Sequence, residues 1–190
     1  RDTCCGVFEI AGSLFDREDD RVILVDNESP GFRLITSGRK WLQALLGKDD
    51  KPYVENLSFT NATGVWSKHY AGMYWGDSIR SVYGKLAEVG RFKAEWTTRI
   101  EREGTYEIFV FTHELDGYYR EKKRRQEYFY RIEGGGCNKE TSLVLLATQK
   151  GWKSLGKYHL SEGEARIVLD DRGEPGQIVI ADAVKWVRVD

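Results

Sequence analysis

Seven side chains between residues 66 and 80 are of the types that hold sugars. Tryptophan and tyrosine rings stack on the C–H faces of a sugar, and neighbouring charged or imidazole groups bind its hydroxyls. Glycines in the same stretch would let a ligand approach the backbone. We therefore predict an ordered ligand-binding loop over residues 66–81, with candidate residues Trp66, His69, Tyr70, Tyr74, Trp75, Asp77 and Arg80. The alternative is that these rings plug one end of the core.

The densest basic run is Arg-Glu-Lys-Lys-Arg-Arg at residues 120–125, with Tyr118 and Tyr119 before it and Tyr128 after it. Basic residues interleaved with aromatic residues can bind nucleic acid by phosphate contact and base stacking. The chain as a whole carries 29 basic and 30 acidic residues, so no global field attracts a polyanion. We interpret the run as a solvated hairpin loop and expect no nucleic-acid partner. Contact with an anionic glycan is a third interpretation.

Three aspartates are candidates for structural chemistry. Asp182 lies in an apolar strand, where a carboxylate is costly unless it is paired or hydrogen-bonded. We predict a buried, structural Asp182 rather than a catalytic one. Asp170 and Asp171 precede Gly173 in a turn, where they cap the turn or bind a structural calcium ion together with loop carbonyls. Apart from that ion, we expect no cofactor.

Catalytic signatures do not occur in the sequence. His69, His113 and His159 have no serine or cysteine nucleophile motif around them, and no H-E-x-x-H, G-x-S-x-G or P-loop pattern occurs. We expect His113, beside Glu114, at the surface. The prediction is a protein that is not an enzyme. A carboxylate pair for glycoside hydrolysis could still be assembled by folding alone.

The three cysteines leave two interpretations open. Cys4 and Cys5 are adjacent and Cys137 is distant, so the C-x-x-C spacing of zinc sites is missing. Either one of the first two bonds to Cys137 in an oxidising compartment, or all three are free thiols.

The elements that position these residues are short apolar runs separated by Gly, Asp and Pro. Evenly spaced runs of this kind favour an all-β sandwich over alternating strands and helices. Aromatic content of 13% with only 3 prolines suits a β-rich core. We predict about nine to eleven strands. Period-2 alternation places nine residues in the core: Trp96, Tyr106, Ile108, Val110, Ile167, Leu169, Ile180, Val184 and Trp186. Lys93 and Glu95 are expected to face outward.

Two stretches carry a family resemblance. GWKSLGKY at residues 151–158 and VIADAVKW at residues 179–186 resemble the C-terminal half of the golvesin / xanthan-lyase carbohydrate-binding-like domain, whose members carry a GW-x-x-LG-x-Y/F element and end in a V-x-ADAV-aromatic strand. The GTYEIFV strand from Gly104 and the strand that leads into Asp26-Asn27 and Gly31-Phe32 also fit. The resemblance runs from Val22 to Val189 and is strongest over residues 104–189.

The chain departs from this family in an insertion at about residues 37–62. Ser37 is a candidate N-cap, Trp41, Leu42, Leu45 and Leu46 share one helical face, and Gly47 could end the helix. We predict a short amphipathic helix there. It either covers one end of the sandwich or docks a partner protein.

The resemblance implies a β-sandwich of jelly-roll type with this one short helical insertion. The domain would span residues 21–190 after a lead-in at residues 1–20. It implies a non-catalytic, glycan-binding accessory module of a larger secreted or cell-surface protein. The alternatives are a protein-interaction or structural module of a cell-envelope assembly and, third, part of a polysaccharide-degrading enzyme. No apolar run approaches the roughly 20 residues that cross a bilayer, so membrane insertion is not expected.

Overall fold

The computed structural model describes residues 20–36, 53–70, 81–115 and 124–190. Within these ranges the chain forms thirteen strands and a single turn of 3-10 helix at Phe59–Asn61. The strands are β1 Val22–Val25, β2 Phe32–Thr36, β3 Tyr53–Glu55, β4 Trp66–Tyr70, β5 Ser81–Leu86, β6 Phe92–Ile100, β7 Gly104–Thr112, β8 Arg125–Gly134, β9 Cys137–Leu146, β10 Gly151–Leu160, β11 Gly163–Asp170, β12 Ile178–Ala181 and β13 Val184–Arg188.

The strands form three sheets. The A sheet has the order β1-β13-β7-β10, the B sheet β2-β6-β11-β8-β9, and the C sheet β12-β5-β4-β3. Every pair is antiparallel except β3 with β4, which is parallel. The A and B sheets enclose one shared hydrophobic core, so the predicted all-β sandwich is confirmed.

Alternation along the strands builds this core. In β7 every second residue is buried, and β11 turns Ala165, Ile167 and Leu169 inward to meet it. Trp96 from the B sheet and Trp186 from the A sheet are 1% and 0% exposed. All nine residues predicted to be buried are buried, which confirms the predicted phase of these strands.

The C sheet contributes residues to the main core and also packs around a smaller cluster. Phe59 is 1% exposed and packs with Leu115, Ala147, Ile178 and Ile180. Gly84 in β5 faces this cluster so closely that a Cβ there would lie 2.7 Å from the Phe59 ring. The insertion predicted at 37–62 therefore contains β3, an edge strand of the C sheet, and the 3-10 turn that packs against β5. Residues 37–52, where the amphipathic helix is predicted, lie outside the described residues.

Two connections are set by the order of strands in the sheets. The apolar run from Gln177 to Val189 is two strands that belong to different sheets, because the chain leaves the C sheet after β12 and enters the A sheet at β13. The basic run at 120–125 is not a hairpin loop, because it connects β7 of the A sheet to β8 of the B sheet. Within it, Arg124 donates to the Pro175 carbonyl at 2.7 Å. Residues 120–123 lie outside the described residues.

Among the described residues, no helix is long and apolar enough to cross a membrane.

Candidate functional site

The first residues of the predicted binding loop belong to a strand. Trp66 opens β4, and its side chain is 0% exposed in the main core. A ring so enclosed offers no face to a sugar, so Trp66 is a core residue rather than a ligand-binding one. Its position at the start of a C-sheet strand turns it inward. The side chain of Tyr70 and the predicted site residues Tyr74, Trp75, Asp77 and Arg80 lie outside the described residues.

His69 is half-buried and already has partners. Its Nε2 lies 2.6 Å from the Leu57 carbonyl oxygen, and its ring centroid lies 4.0 Å from that of Phe59. These contacts fix the end of β4 against the 3-10 turn. His69 therefore fixes the end of β4, from which the chain continues to the remaining predicted residues.

Asp182 has the structural environment that was predicted. It is 2% exposed, and His113 Nε2 lies 2.5 Å from its Oδ2. Its backbone carbonyl accepts a hydrogen bond from Trp96 Nε1 at 2.8 Å. The prediction of a surface His113 is wrong, because its side chain is 6% exposed and holds the corner between β12 and β13.

The carboxylates of Asp170 and Asp171 are both paired with cationic side chains. The Asp170 carboxylate accepts from Arg172 Nε at 2.9 Å, and the buried Asp171 pairs with the buried Lys85 ammonium. Lys85 also contacts Glu88 at 2.9 Å, and this hydrogen bond helps lower the pKa of Glu88 although partial burial acts to raise it. No group of three or more His, Cys, Asp or Glu side chains that could hold a metal ion occurs in the described part of the chain.

The outer face of the B sheet carries a network of ion pairs. The strand registers place five residues in one row across the sheet: Arg33, Glu95, Val168, Arg131 and Glu140. Glu95 faces outward as predicted, yet its side chain is only 3% exposed. It is covered because Arg33 and Arg166 both lie over it, with Nη2 and Nε respectively at 2.6 Å and 3.2 Å from the same carboxylate oxygen.

Arg166 is the centre of this network. Besides Glu95, it contacts Glu164 at 2.7 Å and Glu133 at 3.7 Å. The hydrogen bond to Glu164 and the surrounding carboxylates raise the pKa of the Arg166 guanidinium. The group is therefore permanently charged, and its three contacts hold it at a fixed place in the middle of the sheet.

Two open clefts flank Arg166. Cleft 1 has a volume of about 440 Å³, within the range of roughly 300–1,000 Å³ typical of small-ligand sites. Its charged lining is Arg33, Arg99, Glu164 and Arg166, with Pro30 and Phe32 at one side. Cleft 2, of about 230 Å³, is lined by Arg91, Lys93, Glu95, Arg131, Glu133 and Arg166.

A third hollow, of about 750 Å³, lies between the edge strands β9 and β10 and is lined in part by Cys137, Lys157 and Tyr158. Cys137 carries a free thiol, and burial raises its pKa. Burial therefore disfavours the thiolate, which is the nucleophilic form of a cysteine. Cys4 and Cys5 lie outside the described residues.

The outer face of the A sheet is different in character. Phe109, Phe111 and Trp152 lie on it, and the Phe111 and Trp152 ring centroids are 5.3 Å apart in an edge-to-face arrangement. Lys185 Nζ lies 4.4 Å from the centroid of Trp152 and 5.0 Å from that of Phe109. Burial lowers the pKa of Lys185. The A sheet therefore presents rings and a partly dehydrated ammonium.

The clefts of the B sheet were missed at the level of sequence, although a signal was present. Charged residues alternate with core residues in β6, β8 and β11, which places Lys93 with Glu95, Arg131 with Glu133, and Glu164 with Arg166 on one side of their own strand. Such alternation marks an outward face. It does not show which strands lie side by side, so the cluster could not be assembled before the registers were known.

The golvesin C-terminal domain model matches residues 53–188 of the chain. This range includes β3 to β13 and starts after β1 and β2, which the sequence resemblance had included. No curated protein matches the chain.

A Paenibacillus xanthan lyase has a similar structure, with a TM-score of 0.56 and 17% identity. That similarity covers 90% of this chain and 13% of the lyase, so the chain spans a small part of that enzyme's length. A Podospora anserina GH26-CBM35 β-(1,4)-mannanase gives a TM-score of 0.48 at 10% identity, over 90% of this chain and 28% of the mannanase. The likeness to the lyase shows a common fold. Because the family model covers well over half of its residues, the chain belongs to the golvesin C-terminal domain family.

Proposed function

We propose that this chain is a non-catalytic accessory domain that binds polysaccharide as part of a larger secreted or cell-surface protein. The observation that carries the proposal is the pair of open clefts on the outer face of the B sheet. Guanidinium, carboxylate and threonine groups line them, and these are the donors and acceptors that sugar hydroxyls require. Membership of the golvesin C-terminal domain family and the sandwich fold shared with a polysaccharide lyase support it.

The carboxylates of cleft 2 support a binding role over a catalytic one. Glu95 and Glu133 both contact the same guanidinium, that of Arg166. A glycosidase places an acid and a base or nucleophile on either side of the bond that it breaks. Two carboxylates already shared by one arginine form an ion-pair network, which fixes a surface rather than flanking a bond.

The predicted stretch at 66–81 remains a second binding region in this proposal. Tyr74 and Trp75 would stack against sugar rings, and Asp77 and Arg80 would bind hydroxyls or an acidic substituent. The strand β4 and the contacts of His69 anchor the start of this stretch to the C sheet.

The test is titration of the whole chain with a panel of soluble polysaccharides, followed by tryptophan fluorescence and affinity electrophoresis. Individual sugar contacts are weak, so we expect dissociation constants in the millimolar to micromolar range. These correspond to binding free energies of about −4 to −8 kcal/mol. A Tyr74→Ala/Trp75→Ala double variant tests the 66–81 stretch. Trp152→Ala, which removes a half-buried tryptophan from the outer face of the A sheet, is its control.

Failure to bind any polysaccharide would contradict the proposal. A protein-interaction module would then be the better description, and the 37–62 insertion around Trp41 and Leu45 would be the surface to test.

A further inference from the structure

We propose that cleft 1 binds the carboxylate groups of an acidic polysaccharide, with Arg33 and Arg99 as the contacting residues and Arg166 as the residue that positions Arg33. This rests on the proposed polysaccharide-binding function and names the ligand class. Four features of the outer B-sheet face carry it: the local charge, the orientation of Arg33, the exposure of Arg99 and the spacing between the two arginines.

The clefts concentrate positive charge in a protein that is otherwise close to neutral. The charged residues that line them are six basic and three acidic, whereas the whole chain has a net charge of −1. A local excess of this kind attracts anionic ligands and repels cationic ones. A neutral sugar gains no charge attraction from this excess, whereas an acidic sugar does. The local charge therefore indicates an acidic ligand.

Arg33 is held in place by a carboxylate beneath it. Its Nε donates to Glu95 Oε1 at 2.8 Å, while the arginine side chain is 60% exposed and the glutamate side chain 3% exposed. The pair therefore has one member inside the protein and the other facing the cleft. A guanidinium with one edge fixed in this way loses little conformational entropy when its remaining donors bind a ligand.

Arg166 shares the Glu95 carboxylate with Arg33, so Glu95 is not paired with Arg33 alone. Its Nε lies 3.2 Å from the same Glu95 oxygen, so a single carboxylate is shared by two guanidinium groups. Arg166 itself is surrounded by Glu164 and Glu133 in addition. It therefore acts through Glu95 and Arg33, and we assign it a positioning role rather than a direct contact.

Arg99 supplies the second contact. Its side chain is 75% exposed, and its ion pair with Glu101 joins two well-exposed groups at 3.3 Å. Exposed pairs of this kind contribute little to stability. A ligand carboxylate that accepts two N–H groups from the planar guanidinium can displace such a partner at little cost.

The two arginines are spaced for a chain rather than for a single sugar. Arg33 is opposite Glu95 in the register, and Arg99 is four residues further along β6. At about 3.3 Å per residue this separates them by roughly 13 Å along the strand. That distance exceeds one sugar ring, so the two contacts would fall on different units of a polymer. Pro30 lies at the side of the cleft, where its ring can pack against sugar C–H groups.

The experiment is isothermal titration calorimetry of the whole chain with polygalacturonate and alginate, and with the same two polymers after their carboxyl groups have been reduced to alcohols. The reduced polymers keep the sugar backbone and lose the charge. We expect the acidic forms to bind at least roughly tenfold more tightly, because hydrogen bonds between two charged groups are stronger than those to a neutral hydroxyl.

The variants are Arg99→Gln and Arg33→Gln, with Lys157→Gln as the control. Lys157 is an exposed cation of β10, so its substitution changes the net charge by the same amount on the other sheet. We expect each arginine variant to weaken binding of the acidic polymers roughly tenfold and the control to leave binding unchanged. Arg99→Gln keeps the test decisive if Arg33→Gln disturbs the Glu95 network, because Arg99 has no contact with Glu95 among those described.

Three results would overturn the inference. Equal binding of acidic and reduced polymers would remove the role of the carboxylate while leaving polysaccharide binding intact. Equal losses in the Lys157→Gln control, or equal binding of dextran sulfate, would indicate unspecific attraction of anions. Absence of binding to acidic, reduced and sulfated polymers alike would contradict the proposed function as well as the inference.

Discussion

The outer faces of the A and B sheets differ although the sheets share one core. The B face carries charged pairs around Glu95 and Arg166, while the A face carries the Phe109, Phe111 and Trp152 rings with Lys185 over them. On the A face Val22 and Leu24 of β1 add exposed aliphatic area, at 41% and 42% exposure. The inward positions of both sheets are fixed by packing, so the outward positions are where the two sheets can acquire separate properties.

This difference bears on how each face can recognise a molecule. Charge-assisted hydrogen bonds are directional and discriminate between ligands by charge. Aromatic surface is less selective, because many apolar groups satisfy it. A ligand distinguished by its carboxylates would therefore bind the B face, and loss of charge on the A face should leave that binding unchanged.

The largest expected effect tests whether the A and B sheets share one core. We expect Trp96→Ala in the B sheet and Trp186→Ala in the A sheet each to lower the free energy of unfolding by about 3–5 kcal/mol, because both are fully enclosed. Urea denaturation followed by circular dichroism measures this. A loss below about 1 kcal/mol in either variant would mean that one sheet is not part of the cooperative unit.

The second prediction concerns a residue that belongs to neither face. Asp182→Ala should lower the free energy of unfolding by about 2–3 kcal/mol, because it leaves the buried His113 without its carboxylate. Polysaccharide binding by the folded variant should be unchanged. Thermal denaturation and titration of the same sample separate the two outcomes, and lost binding at unchanged stability would refute the structural role.

The third prediction isolates the charged face. Glu95→Gln keeps the shape of the side chain and removes the charge between Arg33 and Arg166. We expect a loss of about 1–2 kcal/mol, less than for a fully buried pair, because both guanidinium groups are partly hydrated. Glu107→Gln in β7 of the A sheet is the matched control and should change stability by less than about 0.5 kcal/mol. Urea denaturation at low and at high salt measures the free energy of unfolding of both variants, and only the loss in Glu95→Gln should be large.

The smallest effect is expected on the aromatic face. Burial lowers the pKa of Lys185 in the folded chain below its ordinary value of 10.5. At pH values between the folded and the ordinary pKa, the unfolded chain therefore binds the proton more tightly than the folded chain does. The stability of the wild type relative to Lys185→Met should therefore rise as the pH increases through that window, by less than about 1 kcal/mol. Paired denaturation curves at several pH values measure the difference. A relative stability that falls with pH would show that the rings of Trp152 and Phe109 outweigh burial.

The core could be predicted from the sequence because alternation is a local property. Ile108 and Val110, or Ile167 and Leu169, reveal their shared face within a few residues. The division of the run from Gln177 to Val189 could not be predicted in this way. It depends on Trp96 in β6 and on His113, which directly follows β7; both contact Asp182 at the corner where the chain changes sheets.

The candidate site was less predictable for the same reason. The outward direction of Glu95 follows from its parity, but its burial depends on Arg33 and Arg166, which come from β2 and β11. For Trp66 the direction of the side chain was itself predicted wrongly. Its aromatic, glycine-rich neighbourhood indicated a binding loop, whereas pairing with β3 makes it part of a strand that turns the ring into the core.

The place of β13 in the A sheet has a consequence for how the chain assembles. β13 lies between β1 and β7, so that Val187 pairs with Val22 on one side and with Glu107 on the other. β1 cannot join its sheet until β13 has been synthesised. Pairings between such distant residues make folding slow, on the order of milliseconds to seconds. During synthesis, β1 and one edge of β7 remain unpaired, and a chain that stops before Val184 would keep both as open edges prone to aggregation.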